Sequence, residues 1–168
     1  RRHRYCSSAL YTKWILGNIF FRLPWDRHTR KAAEHLPPPD DKHLPMHAGD
    51  IAERLDAELD TEAYADVDAS PNGLQVGAAD HEVERVAVAV DAAVETIERA
   101  GEAGADLLLT HHGLVWGSIE RVTDANYRRI APLIEDDIGL YVSHLPLDGH
   151  QELGNAAGLA DLLGLERR

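Results

Sequence analysis

The chain has 168 residues, 44% hydrophobic and 27% charged, enough for one domain with a real core but not for a second large one. A net charge of -12 argues against nucleic acid or an anionic membrane as a main partner, because phosphate attraction needs clustered Lys and Arg. The single cysteine, Cys6, excludes an internal disulfide and a thiolate metal cluster, and it fits a reduced, cytoplasmic setting.

Charge is unevenly spread. Residues 1–45 hold nine Lys and Arg against four Asp and Glu, whereas 46–168 hold eight against twenty-five, and all three lysines precede Met46. The first stretch also carries Trp14 and Trp25, both phenylalanines and a Pro37-Pro38-Pro39 run, without a helical or strand period. Its apolar block, Trp14 to Phe21, is broken by Asn18 and falls far short of the roughly 20 residues of a spanning helix. Residues 1–45 are therefore expected to be a disordered or non-native extension, with the domain beginning near Met46. An acidic, lysine-free body suits a halophilic protein kept soluble by carboxylates in concentrated salt.

From Asp50, placed to cap a helix, Ile51, Leu55 and Leu59 recur at four-residue spacing and mark its apolar face. Ser70-Pro71-Asn72-Gly73-Leu74-Gln75-Val76-Gly77 reads as a turn leading into a short extended piece. Valine-rich alternation from Val83 to Val90 predicts a strand ending at Asp91. Ala93, Val94, Ile97 and Ala100 predict a helix closed by Gly101 or Gly104. Ala105 to Thr110 is a fully apolar strand that delivers His111 and His112, and residues 113–123 form a loop holding Trp116. Tyr127, Ile130, Ala131 and Ile134 stripe the next helix, which Pro132 is expected to kink. Gly139 to Ser143 predicts a third strand, followed by the His144-Leu145-Pro146-Leu147-Asp148 loop and a last helix from Asn155 to Leu163. Continuous apolar strands alternating with helices predict an α/β fold, a parallel β-α-β sheet flanked by helices.

In such a sheet the strands deliver their carboxyl ends to one edge, where ligands bind. Asp91, the His111-His112 pair and the loop from His144 to Asp148 all follow such ends. Adjacent side chains on an extended segment point oppositely, so the paired histidines can serve two neighbours. Alternatively, one histidine caps the next helix and the other is a satisfied core residue. Two imidazoles and a carboxylate form a normal ligand set for a divalent transition metal. Asp91 reads more readily as the N-cap of the following helix, Trp116 as a packed loop anchor rather than a base-stacking platform, and His150 and Glu152 as solvated loop residues.

Three segments carry a resemblance: Ser70 to Gly77, Thr110-His111-His112-Gly113-Leu114-Val115-Trp116, and Tyr141 to Asn155. Together they resemble the YbgI-like dinuclear-metal family, the GTP cyclohydrolase 1 type 2 homologs or NIF-three-like proteins, over about residues 46–166. The resemblance implies that His111, His112 and Asp148 are metal ligands and that His144 lines the site or orients a ligand from the second layer. It implies two divalent ions in complete members (Fe, Zn, Mn or Mg), an unknown small-molecule substrate and a homo-oligomer, a hexameric ring. It also implies a late His-x-x-x-Glu element that this sequence lacks, so the chain is expected to correspond to the N-terminal half of a member. The activity expected is metal-dependent hydrolysis, by purine ring opening or phosphoester cleavage. The rival expectation is a non-catalytic fragment or an assembly and metal-storage module. No phosphate-cradling Gly-x-x-x-x-Gly-Lys motif supports nucleotide recognition.

Overall fold

The computed structural model describes residues 46–165. The expected N-terminal extension lies outside the described residues. Two short strands, β1 (Met46–His47) and β3 (Glu82–Val83), pair antiparallel. The main sheet has four strands, β2 (Gly73–Val76), β4 (Val86–Asp91), β5 (Leu107–His112) and β6 (Gly139–Val142), in the order β2-β6-β5-β4. As expected, β4, β5 and β6 run parallel. The all-parallel expectation needs correction at one edge, where β2 joins β6 antiparallel and makes the sheet mixed. The single strand expected from Val83 to Val90 is likewise two, split at Glu84 and Arg85. The backbone N–H groups of both residues donate to Asp106 Oδ2, at 2.9 and 2.7 Å.

Helix α1 (Ala48–Leu59) covers one face of the sheet, and α2 (Val94–Glu102) and α3 (Asp124–Glu135) cover the other. The period-two alternation of the strands divides the core accordingly. Leu107 and Tyr141 pack with Ala48 and Ala52 of α1, whereas Leu108, Leu140 and Val142 pack with Ile97, Ala100, Ile130 and Leu133. Burial on both faces is why β5 and β6 read as unbroken apolar runs. The expected cap, Asp50, sits inside α1, where its carboxylate accepts from the N–H of His47, the true N-cap, at 3.4 Å. Helix α3 continues through Pro132 to Glu135. Gly77 follows β2 at φ +112°, and a Cβ there would stand 3.0 Å from the Gly139 Cα, so glycine at 77 lets the edge strand approach β6. The segment expected as a loop after His144 is a short helix, α4 (Leu145–Gly149), followed by α5 (Asn155–Leu162). Among the described residues, no helix is long and apolar enough to cross a membrane.

Candidate metal centre

The carboxyl ends of β4, β5 and β6 lie side by side. The register pairs Asp91 with His112 and Thr110 with Val142, and the Ser143 N–H donates to the Thr110 carbonyl at 3.0 Å. Three imidazoles meet at this edge. The ring centroids of His111 and His112 are 4.6 Å apart, those of His111 and His144 5.0 Å, and those of His112 and His144 5.7 Å. One ring nitrogen from each lies within 4.8 Å of the others, forming a cluster able to hold a metal ion.

The tautomer of each ring follows from its partner. His111 Nδ1 lies 3.0 Å from the Ser143 carbonyl, which can only accept, so this nitrogen carries the hydrogen. His112 Nδ1 lies 2.6 Å from Asp91 Oδ1, and His144 Nδ1 lies 2.9 Å from Asp68 Oδ1, so an ionised carboxylate fixes the same tautomer in both. In neutral rings, Nε2 is then left as the lone-pair atom. This is the arrangement by which surrounding groups orient metal-binding histidines and raise their basicity. Nitrogens about 2.1 Å from one tetrahedral ion stand about 3.4 Å apart, so seating an ion draws rings whose donors lie within 4.8 Å together by up to about 1.4 Å.

Asp68 is the residue that the sequence reading missed. Its side chain is 1% exposed and accepts four hydrogen bonds. Oδ1 takes the Ser70 N–H at 2.8 Å and His144 Nδ1, while Oδ2 takes Asn72 Nδ2 at 2.8 Å and the Leu145 N–H at 2.9 Å. Burial alone would raise its pKa, but hydrogen bonds from Asn72, His144, Ser70 and Leu145 outweigh that and hold the carboxyl at about 2. The same carboxylate satisfies the first N–H of α4, and Asn72 Oδ1 accepts the His144 N–H at 2.7 Å. The turn before β2 thus fixes both the ring and the backbone of His144. The signal available in sequence was Asp68 two residues before Ser70, an Asx-turn pattern. Nothing local pointed to His144, 76 residues away.

Of the residues singled out from the sequence, His111 and His112 stand together and His144 joins them as a third donor. Asp148, on the first turns of α4, stands one step out, with Oδ1 3.7 Å from His111 Nε2 and accepting from Asn155 Nδ2 at 3.2 Å. Asp91 does not cap α2, whose N-cap is Ala93, because its carboxylate is engaged by His112. His150 is no free loop residue, since its Nδ1 accepts the N–H groups of Glu152 and Leu153 at 3.2 and 3.0 Å. Trp116 is not a packed anchor. It is 58% exposed, with its ring 4.7 Å from His144 edge to face and 6.0 Å from His112.

The family model for Duf34/NIF3 (NGG1p interacting factor 3) matches residues 46–168. The GTP cyclohydrolase 1 type 2 homolog of Halobacterium salinarum is 54% identical over 123 residues, which are 73% of this chain and 48% of that protein. The protein of the same description from Pyrococcus abyssi is 43% identical over 121 residues, 72% of this chain and 47% of that one. Among solved structures, TTHA1606 from Thermus thermophilus superposes with a TM-score of 0.67 at 40% identity, covering 72% of this chain and 49% of that one. The protein ybgI, of unknown function, gives 0.65 at 37% identity, with coverages of 71% and 47%. The chain spans about half the length of the curated relatives it matches.

Proposed function

The chain belongs to the Duf34/NIF3 family, and from that premise we propose that it is a divalent-metal-binding protein acting as a metal-dependent hydrolase. One observation carries the reading. All three clustered imidazoles have Nδ1 committed to an acceptor, so their Nε2 atoms are left as the ligands. His111 and His112 hold the metal, His144 closes the set, and Asp148 adds a carboxylate beside His111. A divalent transition metal bound there supplies a Lewis acid that ionises water near neutral pH. The protein's part is orientation. Ser143 and Asp91 fix the rings of His111 and His112, and Asp68 fixes that of His144. Purine ring opening or phosphoester cleavage is the reaction class, in keeping with the names of the curated relatives. A hexameric ring and a cytoplasmic, high-salt setting belong to the same reading, the salt supported by the acidic, lysine-free body.

Chelator-stripped chain titrated with Zn or Mn tests this directly. Saturable binding lost in H111A and H112A and weakened in D148A is the expected result, with hydrolysis of GTP or of a nitrophenyl phosphodiester appearing only in the loaded protein. Turnover that survives chelation, or the absence of saturable metal binding, refutes it.

A further inference from the structure

One large side chain at this edge takes no part in holding the metal. Trp116 keeps most of its indole in solvent, although burial of so large an aromatic group is strongly favourable. Ile119 (40% exposed) and Val122 (49% exposed) follow on the same loop. Scattered apolar side chains call for no explanation, whereas a large aromatic ring left exposed against two of the three clustered imidazoles does.

The loop is tied down on both sides of Trp116. The Leu114 N–H donates to Gln75 Oε1 at 3.0 Å, and Gln75 Nε2 donates to the Pro71 carbonyl at 2.7 Å. The Gly117 N–H donates to the Ala69 carbonyl at 2.7 Å, with Gly117 at φ +83°, a conformation that favours glycine. The indole is therefore held beside the three imidazoles before any ligand arrives, which lowers the ordering cost of binding on it. Charge at this edge is acidic, since Asp68, Asp91 and Asp148 each lie against one of the histidines. A divalent ion seated there offsets those carboxylates, so the contact that the indole adds to this edge is one for a flat ring.

We propose that Trp116 is the specificity-determining residue of this site, its exposed indole stacking a planar heteroaromatic ring of the purine class beside His144 and His112. The inference rests on the metal-site reading and narrows it, because it adds selection by the substrate's ring to whatever the metal binds. Base–aromatic stacking is worth roughly 1–3 kcal/mol by alanine substitution, which corresponds to about 5- to 150-fold in affinity.

The test uses the full chain loaded with Zn or Mn and equilibrium titration with guanosine, GTP and ribose 5-phosphate, in wild type, W116A and W116F. Metal content is measured in every sample. Guanosine is expected to bind saturably, W116A to weaken it at least 5-fold, W116F to retain most of the affinity, and all three proteins to carry the same metal. GTP should lose as much affinity as guanosine in W116A, and ribose 5-phosphate, which has no flat ring, should bind wild type and W116A alike. Unchanged guanosine affinity in W116A, absence of guanosine binding to loaded wild type, or an equal loss of ribose 5-phosphate affinity in W116A overturns the assignment. Metal loss in W116A also overturns it, by showing that the indole supports His144 instead. Failure of wild type itself to take up metal counts against the hydrolase reading and not against Trp116.

Discussion

Replacing Asp68 by asparagine is the most informative single change, because one carboxylate supports the turn before β2, the start of α4 and the ring of His144. Each of its oxygens accepts two hydrogen bonds. An amide turns one of these oxygens into a donor, so two of the four donors face an N–H₂ group whichever way the amide is flipped. Leaving a buried donor unsatisfied costs about 1–3 kcal/mol, which puts the loss near 2–4 kcal/mol after partial relaxation. The depressed pKa expresses the same four hydrogen bonds as a dependence on pH. A carboxyl lowered from 3.8 to about 2 in the folded chain contributes about 2 kcal/mol at roughly 1.4 kcal/mol per pH unit. Since the folded value is depressed, that stability is fully present above about pH 4 and is lost as the pH falls through about 2. Urea unfolding of metal-free wild type and D68N at pH 7 and at steps down to pH 2 measures both. D68N should be less stable by about 2–4 kcal/mol at pH 7, with a shallower loss toward acid. A D68N midpoint indistinguishable from wild type, or an unchanged acid limb, would falsify the account of Asp68 as a buried, fully bonded carboxylate.

Asp91 makes a contrasting case. Its side chain is 63% exposed, so D91A should change stability by less than about 0.5 kcal/mol, while loss of the partner to His112 Nδ1 lowers metal affinity about 10- to 100-fold. Parallel urea unfolding and metal titration separate the two effects, and equal losses in both contradict the orienting role. In the core, L107A removes a side chain that is 0% exposed against α1 and Tyr141. It should cost about 2–5 kcal/mol by urea unfolding, and a cost under about 1 kcal/mol means that the sheet is not packed as described.

The sequence was sufficient wherever one local pattern decides the outcome. Four-residue spacing placed α1, and unbroken apolar runs placed β5 and β6, because helix period and two-sided burial are written into neighbouring residues. Placing parallel strands side by side then brought their carboxyl ends together, so the convergence of His111, His112 and the segment after β6 was legible from the pattern alone. Partnerships between residues distant in the chain were not legible. Asp91 looked like a cap, since an aspartate just before a helix usually is one, yet the register across β4 and β5 gave its carboxylate to His112. The short extended piece after Ser70 carried no sign of its neighbour, and only its antiparallel seat against β6 made it an edge strand. Asp68 carried no long-range signal, because its choice of His144 depends on where the turn before β2 lies against the end of β6. Likewise, the exposure of Trp116 depends on what the folded loop leaves uncovered. Local pattern thus fixed the main helices and the parallel strands, and with them the sheet edge that carries the three histidines. Tertiary contact decided which group faces each ring nitrogen, because hydrogen-bond partners are chosen by position in space and not by separation along the chain.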